Sequence, residues 1–204
     1  MMARLVQVSL SDMICELGED RTKSILANFS CPKNNDVSDF LKSKSIEFSK
    51  QGLSKTHLVF YEDEESKILA GYFTLAMKTI SIPKKSLSNK LQKRITKFCR
   101  YNVDIKRYML PSILIAQLGK NYSNNANKKI TGDTLLKMAH TEIKKVQKSV
   151  GGKVVYLECE DNDYLKSFYK KNGFVEFGKR TLDKDEADAL PGKYLVQMLK
   201  YFNS

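Results

Sequence analysis

One strand-helix unit near the end of the sequence constrains the fold more than any other segment. A run of apolar and β-branched residues predicts a buried strand over 153–159. Asp161 or Asn162 can then cap a helix over 162–172. Gly173 follows at the point where a helix commonly ends in the left-handed conformation. A strand, a capped helix and a glycine exit in this order predict an α/β sheet.

The same unit carries a family resemblance. From Asn162 to Phe174 the chain reads Asn-x-x-Leu-x-x-Phe-Tyr-x-x-x-Gly-Phe, which resembles the last strand-helix unit of the GCN5-related N-acetyltransferases (GNAT superfamily). The resemblance implies that Tyr169 is the general acid for the departing CoA thiolate. The alternative is a helix tyrosine that packs beside Phe168. Asn162 would hold the pantetheine arm of acetyl-CoA or only cap its helix.

A second resemblance lies upstream. A buried strand is predicted over 110–118 and a helix over 132–149, with a polar loop between them. In the superfamily this loop reads Arg/Gln-x-x-Gly-x-Gly/Ala and holds the acetyl-CoA pyrophosphate on backbone N–H groups. The best alignment of this motif with the chain covers residues 127–132, where only Gly132 matches. Lys128 and Lys129 could supply the positive charge that the motif lacks. The cofactor-binding residues that the resemblance implies are Gln117, Leu118, Lys120, Lys128, Lys129, Thr131, Gly132, Asp133, Asn162 and Phe168.

The N-terminal half resembles one branch of the superfamily. Residues 29–31, 36–41, 52–60 and 68–76 are similar to the toxin-type members, which acetylate the amino group of aminoacyl-tRNA. The resemblance implies tRNA as acceptor and a small antitoxin protein as partner. A homodimer is a further assembly that the sequence leaves open.

Composition agrees with one intracellular domain. The 204 residues suffice for a single domain with a real core. No apolar run approaches bilayer-spanning length, and the N-terminus is too short and mixed for a signal peptide. Four cysteines without Cys-x-x-Cys spacing and two histidines disfavour a zinc site. We therefore expect a cytoplasmic protein with no metal and no membrane association.

The predicted fold class is α/β. We expect a GNAT fold with a mixed central sheet of about six to seven strands, flanked by helices on both faces, in one acetyltransferase domain over 1–204. The predicted strands are 4–8, 56–62, 67–77, 110–118, 153–159, 174–178 and 194–202. The predicted helices are 11–18, 21–28, 37–50, 86–99, 132–149 and 162–172.

Positive charge is concentrated in a basic helical insertion at about 84–108. Nine lysines and arginines and one aspartate place eight of the twelve net positive charges there. An apolar stripe, Leu87, Leu91, Ile95 and Phe98, predicts that the helix over 86–99 docks by one face. The candidate substrate-binding residues on its other face are Lys90, Lys93, Arg94 and Lys97. This face either solubilises the protein or contacts the phosphates of a polyanion such as tRNA.

The expected reaction is transfer of acetyl from acetyl-CoA to a primary amine by direct attack in a ternary complex. An α-amino group titrates near pH ~8, so water or a carboxylate such as Glu158 would suffice as base. Two other functions stay open. One is N-acetylation of a small molecule or a protein, and the other is a non-catalytic nucleic-acid-binding module with this fold.

Overall fold

The computed structural model describes residues 3–97, 99–183, 190 and 192–202. Its helices are α1 (Leu10–Leu17), α2 (Glu19–Ala27), α3 (Asn35–Asp39), α4 (Ser45–Lys50), α5 (Asn89–Ile95), α6 (Gly132–Val150) and α7 (Asp163–Lys171). Its strands are β1 (Arg4–Ser9), β2 (Lys55–Glu62), β3 (Lys67–Pro83), β4 (Arg100–Asn102), β5 (Arg107–Lys120), β6 (Val154–Glu160), β7 (Val175–Thr181) and β8 (Tyr194–Tyr201).

The described strands form one mixed sheet. They hydrogen-bond in the order β1-β2-β3-β5-β6-β8-β7, and β4 pairs with β5. β5 and β6 run parallel, whereas β1–β2, β2–β3, β6–β8 and β7–β8 are antiparallel. The predicted α/β class and mixed sheet are confirmed, but the predicted count of six to seven strands missed β4.

β4 and the first part of β5 form a hairpin over residues 100–109. The sequence predicted no strand between the helix over 86–99 and the strand over 110–118. Asn102 pairs with Arg107 across the turn. The Asn102 side chain accepts hydrogen bonds from the backbone N–H groups of Asp104 and Ile105, at 3.0 and 3.1 Å. Lys106 takes a positive φ of 52°. The turn contains neither glycine nor proline, which are the residues that usually mark a hairpin in a sequence.

The chain divides into two compact units, and it passes between them within β3, β5 and α6. The first unit comprises the residues up to Ala76 and Ile115–Lys144. Its main apolar cluster joins α1–α4 to β2 and β3. Tyr72 is fully buried in this cluster, and its ring meets that of Phe29 edge-on at 5.1 Å. The preceding position of β3, Gly71, faces the opposite side of the sheet. A Cβ atom added there would lie 3.4 Å from Leu135 of α6.

The second unit comprises Met77–Leu114 and the residues from Lys145 onward. Its core cluster joins α5 and β3 to the strands that follow, through Ile80, Ile82, Leu87, Ile95, Tyr108, Leu110, Val154, Tyr156, Phe177 and Leu199. α7 packs on β6 near Cys159. Tyr156 and Cys159 are three residues apart on one strand, so they face opposite sides of the sheet. Helices therefore cover both faces of β6, as predicted.

The helix predicted over 86–99 is shorter in the structure. A 3₁₀ turn, Lys84–Ser86, precedes it, and Ser88 caps α5 by accepting a hydrogen bond from the Leu91 backbone N–H at 3.3 Å. The basic insertion is therefore a short helix followed by the β4–β5 hairpin.

The predicted apolar stripe of this helix is present in its first three members. Leu87 and Ile95 are buried and Leu91 is half-buried. Phe98 lies outside the described residues. α5 therefore docks by the face that the spacing predicted.

The apolar residues of α6 are buried only along the first part of the helix. Leu135, Ala139 and Ile143 are inaccessible to solvent, whereas Val146 is half-buried and Val150 is 73% exposed. The helix therefore continues past its core with the same apolar spacing.

Two properties of the described residues bear on membrane association and on metal binding. No described helix combines the length and the hydropathy that crossing a bilayer requires. No three His, Cys, Asp or Glu side chains of the described part are grouped so that they could hold a metal ion.

Candidate active site

The connection from β6 to α7 has the structure that its sequence predicts. The Asn162 side chain caps α7 by accepting a hydrogen bond from the Leu165 backbone N–H at 2.8 Å. Asp161, the other candidate cap, instead pairs with Lys166 at 2.8 Å. Gly173 ends the helix with a φ of +83°. Asn162 is therefore a helix cap, and a contact with pantetheine remains a prediction.

Tyr169 lies on the inner side of α7. It is 7% exposed, and its ring meets those of Phe168 and Phe174 edge-on, at 5.0 and 5.7 Å. Burial, followed by the nearby Cys159 thiol, raises the pKa of Tyr169 well above its usual value. The hydroxyl is therefore protonated at neutral pH, as a donor to a departing thiolate must be.

Glu158 belongs to a half-buried polar network in the second unit. Arg180 donates to both carboxylate oxygens, at 2.8 to 3.1 Å, and Gln197 donates at 3.0 Å. The Tyr156 hydroxyl also donates to this carboxylate. Burial alone would raise the pKa of Glu158, but these hydrogen bonds, with Arg180 foremost, outweigh it and lower that pKa. A firmly ionised and fully engaged carboxylate is a weak base, so the structure disfavours Glu158 as the base.

Nothing in the sequence indicated that Arg180 and Gln197 would contact Glu158. They lie on β7 and β8, 22 and 39 residues from Glu158. Neither belongs to a local motif, and only strand pairing brings them together. Their effect is to tie three neighbouring strands through one carboxylate.

The edge of β6 changes partners along its length. Its ladder with β8 runs from Val154 to Glu160, whereas its parallel ladder with β5 has two pairs, Ile113 with Val155 and Leu114 with Tyr156. From Leu157 onward, β6 therefore has no β5 ladder partner. Backbone groups of this kind can pair with an extended amide-containing ligand.

The predicted cofactor residues at the end of β5 lie in the first unit. Gln117 donates a hydrogen bond to Asp36 at 2.8 Å, and Lys120 donates to the Asn127 carbonyl at 3.0 Å. Leu118, between them, is half-buried. The structure thus uses both polar side chains to brace the unit, and a role of the Leu118 and Lys120 backbone N–H groups toward an acetyl carbonyl stays a prediction.

Asn121 anchors the loop that follows β5. It was not among the residues predicted from the sequence. It is 5% exposed. Its side chain accepts from the backbone N–H groups of Ser30 and Ser123, at 2.9 and 3.0 Å, and donates to the Leu69 carbonyl at 2.8 Å. The loop contains several asparagines, so the sequence could not distinguish the buried one from the exposed ones.

The rest of the loop differs from the family pattern for a physical reason. Asn124 and Asn125 adopt the left-handed conformation, with φ of 52° and 58°, which asparagine tolerates better than most residues. Ala126 and Ile130 are buried, at 1% and 4% exposure. Ile130, at the position of a family glycine, is thus an apolar anchor that holds the loop against the unit.

α6 begins at Gly132, as predicted. Thr131 accepts a hydrogen bond from the Thr134 backbone N–H at 3.0 Å and so caps the helix. Asp133 lies in the first turn, where its negative charge favours the helix but opposes a phosphate at the same end. Contact of these residues and of Phe168 with a cofactor remains a prediction.

Lys128 and Lys129 are exposed beside this helix start. The Lys129 ammonium lies 4.5 Å from the centre of the Tyr61 ring. It also lies near Asp63, whose pKa it helps to lower after the stronger effects of Ser66 and the local backbone. The two lysines leave positive charge close to the first turn of α6.

The four predicted substrate-binding residues divide into two environments on and after α5. Lys90, Lys93 and Lys97 are exposed, as predicted. Arg94 is half-buried, and its guanidinium lies 5.3 Å from the centre of the Tyr201 ring. Changing Arg94 therefore disturbs packing as well as charge.

α5 lies toward the start of β6, because Ile95 shares its core cluster with Val154. Asn162 and the start of α7 follow the other end of the strand. Six residues separate Val154 from Glu160, which corresponds to about 20 Å at ~3.3 Å per residue. A compound that reaches both ends of β6 must therefore be long.

No protein-family model matches the chain, and no curated protein matches it. Solved structures do. AtaT complexed with acetyl-methionyl-tRNAfMet is 19% identical, with a TM-score of 0.61 over 95% of this chain and 94% of that chain. A tyrosine-to-phenylalanine mutant of KacT is 18% identical, with a TM-score of 0.61 over the same shares. An AtaT mutant toxin bound to the C-terminus of the antitoxin AtaR and acetyl-CoA is 14% identical, with a TM-score of 0.55 over 98% and 92%.

These similarities extend over nearly the whole chain at low sequence identity. The chain has the GNAT fold, which it shares with AtaT and KacT.

Proposed function

We propose that this chain is an acetyl-CoA-dependent N-acetyltransferase whose acceptor is the amino group of aminoacyl-tRNA. Three kinds of observation support the proposal: the fold, the environment of Tyr169 and the concentration of basic residues on and around α5. The similar structures include AtaT with acetyl-methionyl-tRNAfMet and an AtaT mutant with acetyl-CoA, which are compatible with the same chemistry.

The environment of Tyr169 carries the proposal. Its pKa is raised by burial, so it is protonated when a thiolate leaves. Full proton transfer from such a phenol to a thiolate of ordinary pKa, near 8.5, would be uphill. Burial raises the pKa of the thiolate as well, which reduces the mismatch. We infer that Tyr169 donates a hydrogen bond that strengthens as the carbon–sulfur bond breaks and transfers its proton as the thiolate departs.

The acceptor amine needs little help. An α-amino group has a pKa near 8, so a substantial fraction is neutral at cellular pH. It attacks the thioester carbonyl directly, the tetrahedral intermediate expels the CoA thiolate, and a proton leaves the new amide nitrogen to water. Glu158, already ionised and engaged by Arg180, is not needed in this scheme.

We propose that the cofactor is held by backbone and charge together. The candidate cofactor-binding residues are Gln117, Leu118, Lys120, Lys128, Lys129, Thr131, Gly132, Asp133, Asn162 and Phe168. Gly132 supplies backbone without a side chain at the helix start, and Lys128 and Lys129 supply charge. The part of β6 that follows its two-pair ladder with β5 is proposed to pair with the amides of pantetheine.

Replacing Gly132 with glutamate should weaken acetyl-CoA binding by at least about tenfold, because like charges brought together at a binding site cost several kcal/mol. The fold should survive, since an acidic residue in the first turn favours a helix. Titration calorimetry with acetyl-CoA measures the effect. Lys137→Glu is the matched control, because Lys137 is exposed on the same helix, beyond its first turn. Equal affinity of Gly132→Glu and the parent would show that the phosphates bind elsewhere.

The acceptor is proposed from charge and distance. Lys90, Lys93, Arg94 and Lys97 lie on or just after α5, which is toward the start of β6, whereas the cap of α7 follows the other end of that strand, about 20 Å away. An acceptor that reaches both ends must be long. A nucleic acid is long enough and has the complementary charge, so these residues are proposed to hold tRNA phosphates.

The deciding experiment supplies labelled acetyl-CoA with total charged tRNA, a set of small amines and a cell extract. Label recovered in the aminoacyl group of tRNA supports the proposal. Label in a small amine or a protein would replace tRNA with that acceptor. Binding of nucleic acid with neither acetyl-CoA binding nor transfer would leave the non-catalytic module.

The remaining proposals concern assembly. We propose that the chain acts as one acetyltransferase domain over 1–204 with a basic insertion at about 84–108, works in the cytoplasm and is neutralised by a small antitoxin protein. Homodimer formation is a further proposal. Size-exclusion chromatography with light scattering measures the oligomeric state directly.

A further inference from the structure

A recess opens in the second unit beside α5. Its volume is about 260 Å³, and Ser88, Lys90, Arg94, Gly173 and Tyr201 are among its lining residues. It lies toward the start of β6, at the end of the strand opposite to the cap of α7. Leu199 and Tyr201 of its lining share the core cluster of Tyr156, whereas Tyr169 lies near Cys159 on the opposite face of β6. The recess and Tyr169 are therefore on opposite faces of the sheet.

The two cations that line the recess, Lys90 and Arg94, have no carboxylate partner among the described residues. Lys166, Lys179 and Arg180 in the same unit all pair with a carboxylate. Two uncompensated cations at one concave site favour an anion as occupant.

The wall of the recess is apolar and aromatic. Leu91, Leu199 and Tyr201 line it. The Arg94 guanidinium lies 5.3 Å from the centre of the Tyr201 ring. A guanidinium can present two parallel donors to a phosphate. An apolar wall beside a phosphate site suits a sugar or a base.

We propose that this recess holds one nucleotide unit of an RNA strand, with its phosphate between Lys90 and Arg94 and its ribose against the apolar wall. The recess would be an anchoring site on the acceptor, distant from the acetyl transfer. Naming that RNA as tRNA rests on the proposed function, whereas binding of RNA at this place does not. Phosphate contacts of this kind supply affinity and register without sequence specificity.

The test measures RNA binding without the reaction. A fluorescent tRNA transcript that carries no amino acid is titrated with the full chain at about 0.1 M salt, without acetyl-CoA, and polarisation is recorded. Lys90→Gln and Arg94→Gln are compared with Lys85→Gln. Each variant removes one positive charge, and Lys85 is an exposed residue of the same basic segment that does not line the recess.

We expect Kd to rise about fivefold to tenfold for Lys90→Gln and Arg94→Gln, and less than about twofold for Lys85→Gln. Losing one phosphate contact should also reduce the slope of log Kd against log salt by about 1. Arg94→Lys, which keeps the charge but not the planar donors, should fall between the parent and Arg94→Gln. Because Arg94 contacts Tyr201, circular dichroism checks folding, and Lys90→Gln decides alone if Arg94→Gln unfolds.

Equal losses for all three glutamine variants would overturn the proposal, because they would indicate a diffuse basic surface. Absence of any loss would overturn it as well, and so would binding to anionic lipid vesicles without binding to RNA. The measurement contains neither acetyl-CoA nor an amino acid. Failure of acetyl transfer therefore leaves its result unchanged, and failure here leaves the proposed transfer reaction intact.

Discussion

Replacing Tyr169 with phenylalanine should lower kcat by about 100-fold or more while acetyl-CoA affinity stays within about twofold of the parent. The change removes only a hydroxyl, and loss of a positioned proton donor typically costs a factor of 10² to 10⁴. Steady-state kinetics with aminoacyl-tRNA gives kcat, and calorimetry gives the affinity. The packing of the ring against Phe168 and Phe174 is retained, so thermal stability should change little.

Tyr164→Phe provides the matched control for this variant. Tyr164 lies on the same helix but is 74% exposed, so loss of its hydroxyl should leave kcat unchanged. If Tyr169→Phe instead lost acetyl-CoA binding and kept its rate of transfer, Tyr169 would be a packing residue. The thiolate would then leave with a proton from solvent.

Reversing the charge of Lys90, Lys93 and Lys97 together to glutamate should raise KM for aminoacyl-tRNA by at least about 100-fold. Each nucleic-acid phosphate contact contributes to an affinity that falls steeply with salt, and a change of six in net charge removes several such contacts and adds repulsion. The three side chains are exposed, so the core should be unaffected. Arg94 is left in place because its guanidinium packs on Tyr201. Kinetics over a range of salt concentrations separates this effect from a loss of kcat.

The control reverses Lys137, Lys144 and Lys148, which are exposed on α6. It changes net charge equally, so a general electrostatic effect would appear in both triple variants. If both bound and acetylated tRNA as well as the parent, the assignment of Lys90, Lys93 and Lys97 to tRNA binding would fail. The acetyl-CoA affinity of both variants should stay close to that of the parent, because the proposed cofactor residues lie on other elements.

Local sequence determined the elements around the proposed chemistry. The β6–α7 connection was predictable because a cap at Asn162, an apolar spacing on α7 and a left-handed exit at Gly173 act within one strand-helix unit. The start of α6 at Gly132 was predictable for the same reason. In each case the residues that determine the conformation are neighbours in the chain.

Tertiary structure decided the features whose partners are distant in the chain. Asn121 is one of several loop asparagines, and only the fold places it against Ser30 and Leu69. The sequence left Glu158 as a candidate base. Strand pairing places Arg180 and Gln197 in hydrogen-bonding contact with its carboxylate. A long-range hydrogen bond or salt bridge leaves no periodicity in the sequence, so pattern alone cannot reveal it.

The basic segment shows the division within a single stretch of chain. Its charge and the apolar spacing of α5 were fixed by the sequence. The early end of the helix, the β4–β5 hairpin and the contact of Arg94 with Tyr201 were decided by packing against strands that come later in the chain. The sequence therefore determined that a cationic surface exists, and the tertiary structure determined that two of its cations line a recess, because the walls of that recess come from residues about 80 to 110 positions away.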